Sequence, residues 1–153
     1  MMRCGRVTAA AALVFGLTAC SSGAVDLALP EHAAESVCGD LPWPARTGPA
    51  RDLQRRPVTV DSPAVAAWGD PAVIARCGLP PLAPTTLNCV TVDDVDWVIR
   101  PLDDGHAFTT FGTDPAIEVL IPADYAPETM LLTDFAAAAR KLPRTGHSCI
   151  APS

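Results

Sequence analysis

Cysteines decide what this chain can fold into. Six occur in its 153 residues, at positions 4, 20, 38, 77, 89 and 149. Cys4 is expected to leave with an N-terminal leader and Cys20 to be lipidated, as described below, which leaves Cys38, Cys77, Cys89 and Cys149. An even set outside the cytoplasm reads as a disulfide framework. Four cysteines allow three pairings, and sequence alone does not choose among them. The stiff stretch Gly78-Leu79-Pro80-Pro81 with Pro84 favours a chain that turns back, pairing Cys77 with Cys89. Cys38–Cys149 would then tie an N-terminal helix to the C-terminal tail. In the chain-entropy description the short loop contributes about 3 kcal/mol and the long one about 4.7 kcal/mol. Zinc is the rival use of such residues, but there is no C-x-x-C pair and only His147 lies close to a cysteine.

The leader explains why two cysteines drop out of the count. Arg3 and Arg6 supply a positive start, and Val7 to Leu17 form an apolar run. At about 11 residues it falls well short of the roughly 20 that span a bilayer. It closes on Leu17-Thr18-Ala19-Cys20, a lipobox. The expectation is a signal peptide over residues 1–19 and a diacylated Cys20 that holds the protein on the extracytoplasmic face of the cell membrane, since two acyl chains anchor stably where one does not. Residues 20–30 follow as lipidated cysteine, tether and first strand, and residues 31–153 as a single domain. Removing Arg3 and Arg6 with the leader moves the formal charge from −6 to −8. Such an acidic body is repelled by phosphate backbones, so nucleic acid is excluded as a partner. One lysine against ten arginines fits a GC-rich genome such as an actinobacterium's.

Hydrophobic patterning predicts an α+β fold: a small antiparallel meander with two helices packed on one face, stapled by two disulfides. Val25 to Leu29 reads as a first strand stopped by Pro30, and Glu31 to Leu41 as a helix bounded by Pro42 and Pro44. Ala45 to Pro57, rich in Pro, Gly and Arg, reads as a loop. Val58 to Val60 reads as a short strand, Trp68 to Pro71 as a turn and Ala72 to Arg76 as a strand. Val90 to Val92 and Val95 to Ile99 flank Asp93-Asp94 as a two-residue hairpin. Ala107 to Phe111 and Ile117 to Ile121 continue the meander. Leu131, Phe135, Ala138 and Leu142 recur at helical spacing in a second helix from about Asp124 to before Pro143.

The block Ala67-Trp68-Gly69-Asp70-Pro71-Ala72-Val73-Ile74-Ala75-Arg76-Cys77-Gly78-Leu79-Pro80 is followed by Val95-Asp96-Trp97 and Phe108-Thr109-Thr110-Phe111-Gly112. Together these resemble the DUF3515 family, actinobacterial secreted or lipoprotein-type proteins of unknown function. The resemblance runs from about Cys38 to Cys149. It implies an envelope setting and the cysteine framework, and offers no catalytic residue to carry over.

Candidate chemistry is sparse. Asp93, Asp94 and Asp96 lack the spacing of a calcium loop and read as solvated turn residues. Asp103, Asp104 and His106 form another polar turn. His147 and Ser148 are adjacent without a G-x-S-x-G elbow, and His32 and Glu35 make at most half a metal site. Arg51, Arg55 and Arg56 read as partners of local carboxylates or as a small anion-docking patch. Trp43, Trp68 and Trp97 read as core or hairpin packing, with ligand stacking as the alternative. No P-loop, G-x-G-x-x-G or H-E-x-x-H occurs, and no cofactor or metal is expected. The leading expectation is a non-enzymatic lipoprotein that binds or scaffolds an envelope protein or wall precursor. The alternative is an envelope hydrolase assembled from His106, Asp96 and Asp103.

Overall fold

The computed structural model describes residues 23–150; the expected leader over 1–19 and Cys20 lie outside the described residues. Alternating and β-branched runs between tight turns produce eight strands: β1 (Arg46–Thr47), β2 (Leu53–Arg56), β3 (Val65–Trp68), β4 (Val73–Leu79), β5 (Cys89–Val92), β6 (Val95–Leu102), β7 (Gly105–Thr110) and β8 (Ala116–Pro122). They form one sheet in the order β1-β2-β3-β4-β8-β7-β6-β5. Every neighbouring pair is antiparallel. The sheet is thus two four-stranded meanders, β1–β4 and β5–β8, joined where β4 lies beside β8.

The hairpin at Asp93-Asp94 forms as the alternation predicts. Both aspartates adopt positive φ, 48° and 62°, the left-handed pair that a two-residue turn needs to match strand twist. Val95 and Trp97, and Ile117, Val119 and Ile121, point into the core.

The expected pair of helices on that face is not present. Among the described residues the only α-helix is the single turn α1 (Ala136–Ala139), beside short 3-10 segments at Ser36–Asp40, Ala123–Tyr125 and Glu128–Phe135. In the first segment, competing commitments hold the backbone away from an α-helix. His32 N–H donates to Gly78 C=O at 2.9 Å, and Cys38 is drawn down to β4 by its disulfide. In the second, Pro127 interrupts at the start, Thr133 turns its hydroxyl back onto Met130 C=O, and Asp134 reaches out to Thr47 and Gly48. Leu131, Phe135, Ala138 and Leu142 are nonetheless all buried against the sheet.

Other boundaries also move. Val25 and Val58 make an isolated parallel bridge instead of strands. The stretch expected as a loop over 45–57 supplies β1 and β2, and Trp68 ends β3 instead of opening a turn.

The cysteine pairing is Cys38–Cys77 and Cys89–Cys149, not Cys77–Cys89 with Cys38–Cys149. The segment between Cys77 and Cys89 does not turn back. It crosses from β4 near the middle of the sheet to β5 at its edge, so its two cysteines end up with three strands, β8, β7 and β6, between them.

The core lies between one sheet face and the C-terminal segment. Trp68 meets Phe135 edge to face, with ring centroids 5.3 Å apart. Tyr125 donates its hydroxyl to Pro71 C=O at 2.6 Å, and burial pushes its phenol above the ordinary tyrosine range. A raised folded-state value means the stabilisation holds below the unfolded value and is lost as pH rises through the folded one. Urea midpoints should therefore fall as pH climbs past about 10. Tyr125 is the one tyrosine in the chain, so Tyr125→Phe should remove most of that slope; an unchanged slope would contradict the assignment.

Candidate functional site

The sheet's second face carries a cleft of about 440 Å³ at the β5 end. Its floor is Val98 and Phe111, its near wall is Pro84 to Cys89, and its far wall is His147 to Ile150. Each wall is fixed for a separate reason. Near Asn88, the strand bond from Ile99 N–H to Asn88 C=O at 2.8 Å extends the β5–β6 ladder into the crossing segment. The tail is tied down by Cys89–Cys149 and by Cys149 N–H, which donates to Asp96 Oδ2 at 2.8 Å. It is held further by Thr145 N–H on Gly112 C=O at 2.9 Å. Gly112 is required here. Its φ is +75°, and an added Cβ would sit 2.0 Å from His147 C=O, so only glycine lets the tail come this close.

The lining holds no carboxylate, lysine or arginine: Thr85, Thr86, Asn88 and Ser148 offer hydroxyl and amide groups beside His147, Leu87, Val98, Phe111 and Ile150. Phe111 and His147 stack with their centroids 5.8 Å apart and 15° between planes. The volume falls within the usual range for sites that hold a small ligand or one large side chain, ~300–1,000 Å³.

Strand register places a charged cluster on the same face, beyond the cleft. Cys89, Val98, Thr109, Glu118 and Arg76 are successive cross-strand partners from β5 to β4. The Glu118 carboxylate is 4% exposed and sits between two guanidinium groups. Arg76 meets Oε1, and Arg100 meets Oε2 at 3.3 Å. At about 4.8 Å per strand, this cluster lies about 10 Å from Val98. It shares the face with the cleft but is not part of its lining.

The other sequence candidates do not converge. Asp96 is consumed by Thr91 hydroxyl at 2.6 Å and by the Cys149 amide, and Asp93 and Asp94 stay in the turn. No group of three or more His, Cys, Asp or Glu suited to a metal occurs among the described residues. His106 pairs with Glu128 at 3.0 Å and not with Asp103. Its side chain falls on the face opposite Asp96, about five residues along the sheet, or roughly 17 Å. The hydrolase grouping of His106, Asp96 and Asp103 is therefore not assembled. His147 and Ser148 both line the cleft, yet the His147 Nδ1 neighbour is Thr145 at 3.4 Å. His32 and Glu35 form an exposed pair at 3.5 Å.

The arginines of 51–56 have structural duties. Arg51 and Arg55 lie over the Tyr125 and Trp68 rings, and Arg56 donates to Gly69 and Gly23 C=O. Trp43 and Trp68 donate to Pro63 and Pro44 C=O. Trp97 is fully buried. None of the tryptophans lines the cleft, so stacking there falls to Phe111 and His147.

Sequence reasoning did not find the cleft. Its only local signals are Asn88-Cys89 and His147-Ser148-Cys149, two polar stretches each ending on a cysteine. They meet because those cysteines pair.

These features define a disulfide-stapled antiparallel β protein with a neutral cleft at one sheet edge. The family model described as protein of unknown function DUF3515 matches residues 1–145, and the chain belongs to that family. No curated protein and no solved structure matches it.

Proposed function

We propose that this protein is a membrane-anchored extracytoplasmic lipoprotein that binds a partner in the cell envelope through the cleft beside β5, without catalysing a reaction. The observation that carries the reading is the cleft itself. It is large enough to receive a ligand group, lined by neutral and apolar side chains, and without a nucleophile–base pair. The lipobox at Leu17 to Cys20 supports the anchor, and two disulfides suit an oxidising compartment. No helix among the described residues is long and apolar enough to cross a membrane.

Arg56 already holds Gly23 C=O at 2.8 Å. Only three residue steps separate Gly23 from Cys20, an extended reach of about 10 Å. The domain would ride close against the bilayer, and its partner would be an envelope protein or wall precursor within that layer. Cys20→Ser should move the protein from the membrane fraction into the medium or an unprocessed precursor pool. Retention of mature-sized protein in membranes would overturn the anchor. Leu87→Asp, placing a charge at the cleft mouth, should abolish co-purification of partners that wild type retains after crosslinking; unchanged recovery would remove the cleft from the function.

A further inference from the structure

We infer that β5 is an open docking edge that takes up an extended polypeptide segment of the partner as a ninth strand, with one of its side chains seated in the adjoining cleft. This rests on the binding reading above and names the kind of partner. The hydrogen-bond pattern carries it. Ile99 N–H donates to Asn88 C=O, which makes Asn88–Ile99 a bonded pair. Register then makes Val90–Trp97 and Val92–Val95 the next bonded pairs. Cys89 and Thr91 fall between them, so their N–H and C=O groups point away from β6. Phe111 N–H donating to Asp96 C=O at 2.8 Å fits this phase, because Asp96, opposite Thr91, turns its own backbone toward β7. Among the described residues, no backbone or side-chain group bonds the amide or carbonyl of Cys89 or Thr91.

Unpaired edges are ordinarily blunted by charge, proline, a bulge or extreme shortness. The opposite edge, β1, is two residues long. β5 is Cys-Val-Thr-Val, with no charge and no proline, and with the β-branched residues that favour strand pairing. Its first residue is also part of the cleft wall. A strand added here would alternate its side chains across the sheet and direct one toward Val98 and Phe111, combining backbone pairing with a pocket, as in strand-addition recognition. A second copy of this chain is the less suitable occupant, because each body carries a formal charge of −8 once the leader is removed.

The test uses membranes carrying the full-length chain and a displayed library of random nonapeptides as the probe. Selected peptides should show alternating apolar residues, and their binding should weaken at least tenfold in Thr91→Pro. That variant deletes one outward amide and leaves the β5–β6 ladder intact. Thr91→Val, which keeps the amide, should bind like wild type. Peptide binding should also slow exchange of the Thr91 and Cys89 amides. Peptides lost with Leu87→Asp but retained by Thr91→Pro would overturn strand addition and leave the cleft reading standing. Failure to select any peptide would overturn the strand-addition proposal, while the co-purification result judges the cleft separately. A wild-type dimer that Thr91→Pro dissociates would assign the edge to a second copy and overturn the peptide partner. Circular dichroism of Thr91→Pro matching wild type guards against a simple folding defect; if it does not match, loss of peptide binding in the unperturbed Leu87→Asp protein together with unprotected Thr91 and Cys89 amides in wild type still overturns the proposal.

Discussion

Replacing both Cys38 and Cys77 by alanine should lower the unfolding free energy by about 4 kcal/mol, read from urea midpoints under non-reducing conditions. The two residues are 39 apart in sequence, which places the entropy term between those of short and domain-length loops. Both are fully buried, so the paired sulfurs also fill core volume that the variant leaves empty. Cys38 is the one buried residue of the Ser36–Asp40 segment, and without its link that segment has little to hold it on β4. Cys89–Cys149 closes a longer span of 60 residues, which the same entropy model makes only a few tenths of a kcal/mol stronger. Both its cysteines are partly exposed. Its removal should therefore be milder in practice, and a mild reductant should open it first under native conditions. A Cys38/Cys77 double variant within 1 kcal/mol of wild type would contradict this ranking.

Glu118→Ala should cost about 3 kcal/mol, because it removes a buried carboxylate from the mostly buried Arg76 guanidinium, while the half-exposed Arg100 returns to solvent. Arg76 and Arg100 both depend on Glu118, and Arg76 Nε is already without a partner. Alanine leaves the like charges of Arg76 on β4 and Arg100 on β6 with no carboxylate between them. Replacing all three residues by leucine should recover most of the loss, since the desolvation penalty disappears along with the attraction. Denaturant titrations of the single and triple variants check this. A Glu118→Ala midpoint equal to wild type would mean that solvent already screens the cluster.

The β5–β8 meander was legible because its information is local. Asp93-Asp94 and Asp103-Asp104-Gly105 mark turns, and the runs between them alternate with period two. β2 was not legible. Leu53-Gln54-Arg55-Arg56 has no apolar alternation, and its arginines earn their place by stacking on Trp68 and by donating to Gly69 and Gly23. The second helix was misread for a different reason. Leu131, Phe135, Ala138 and Leu142 all needed one buried side, and 3-10 turns followed by a single α-turn satisfy that spacing about as well as a continuous helix. Periodicity reported the burial correctly and the hydrogen bonding wrongly. The cleft depended on a cysteine pairing that sequence leaves open among three choices, so no reading of residues 84–88 or 147–150 alone could have joined them.

Joining the two meanders at β4 and β8 has a consequence for how the molecule comes into being. Cys77 on β4 faces Ile117 on β8, so the central seam is the slow, entropically expensive contact, whereas each half can zip through neighbouring strands. A chain emerging from its N-terminus can complete β1 to β4 and must then keep the inner edge of β4 vacant until residues 116–122 arrive. During that interval the central strand of the finished protein is an exposed one. If β1 to β4 pair first, the strand that ends at the centre of the sheet is for that interval an edge strand, and pairing with β8 closes it.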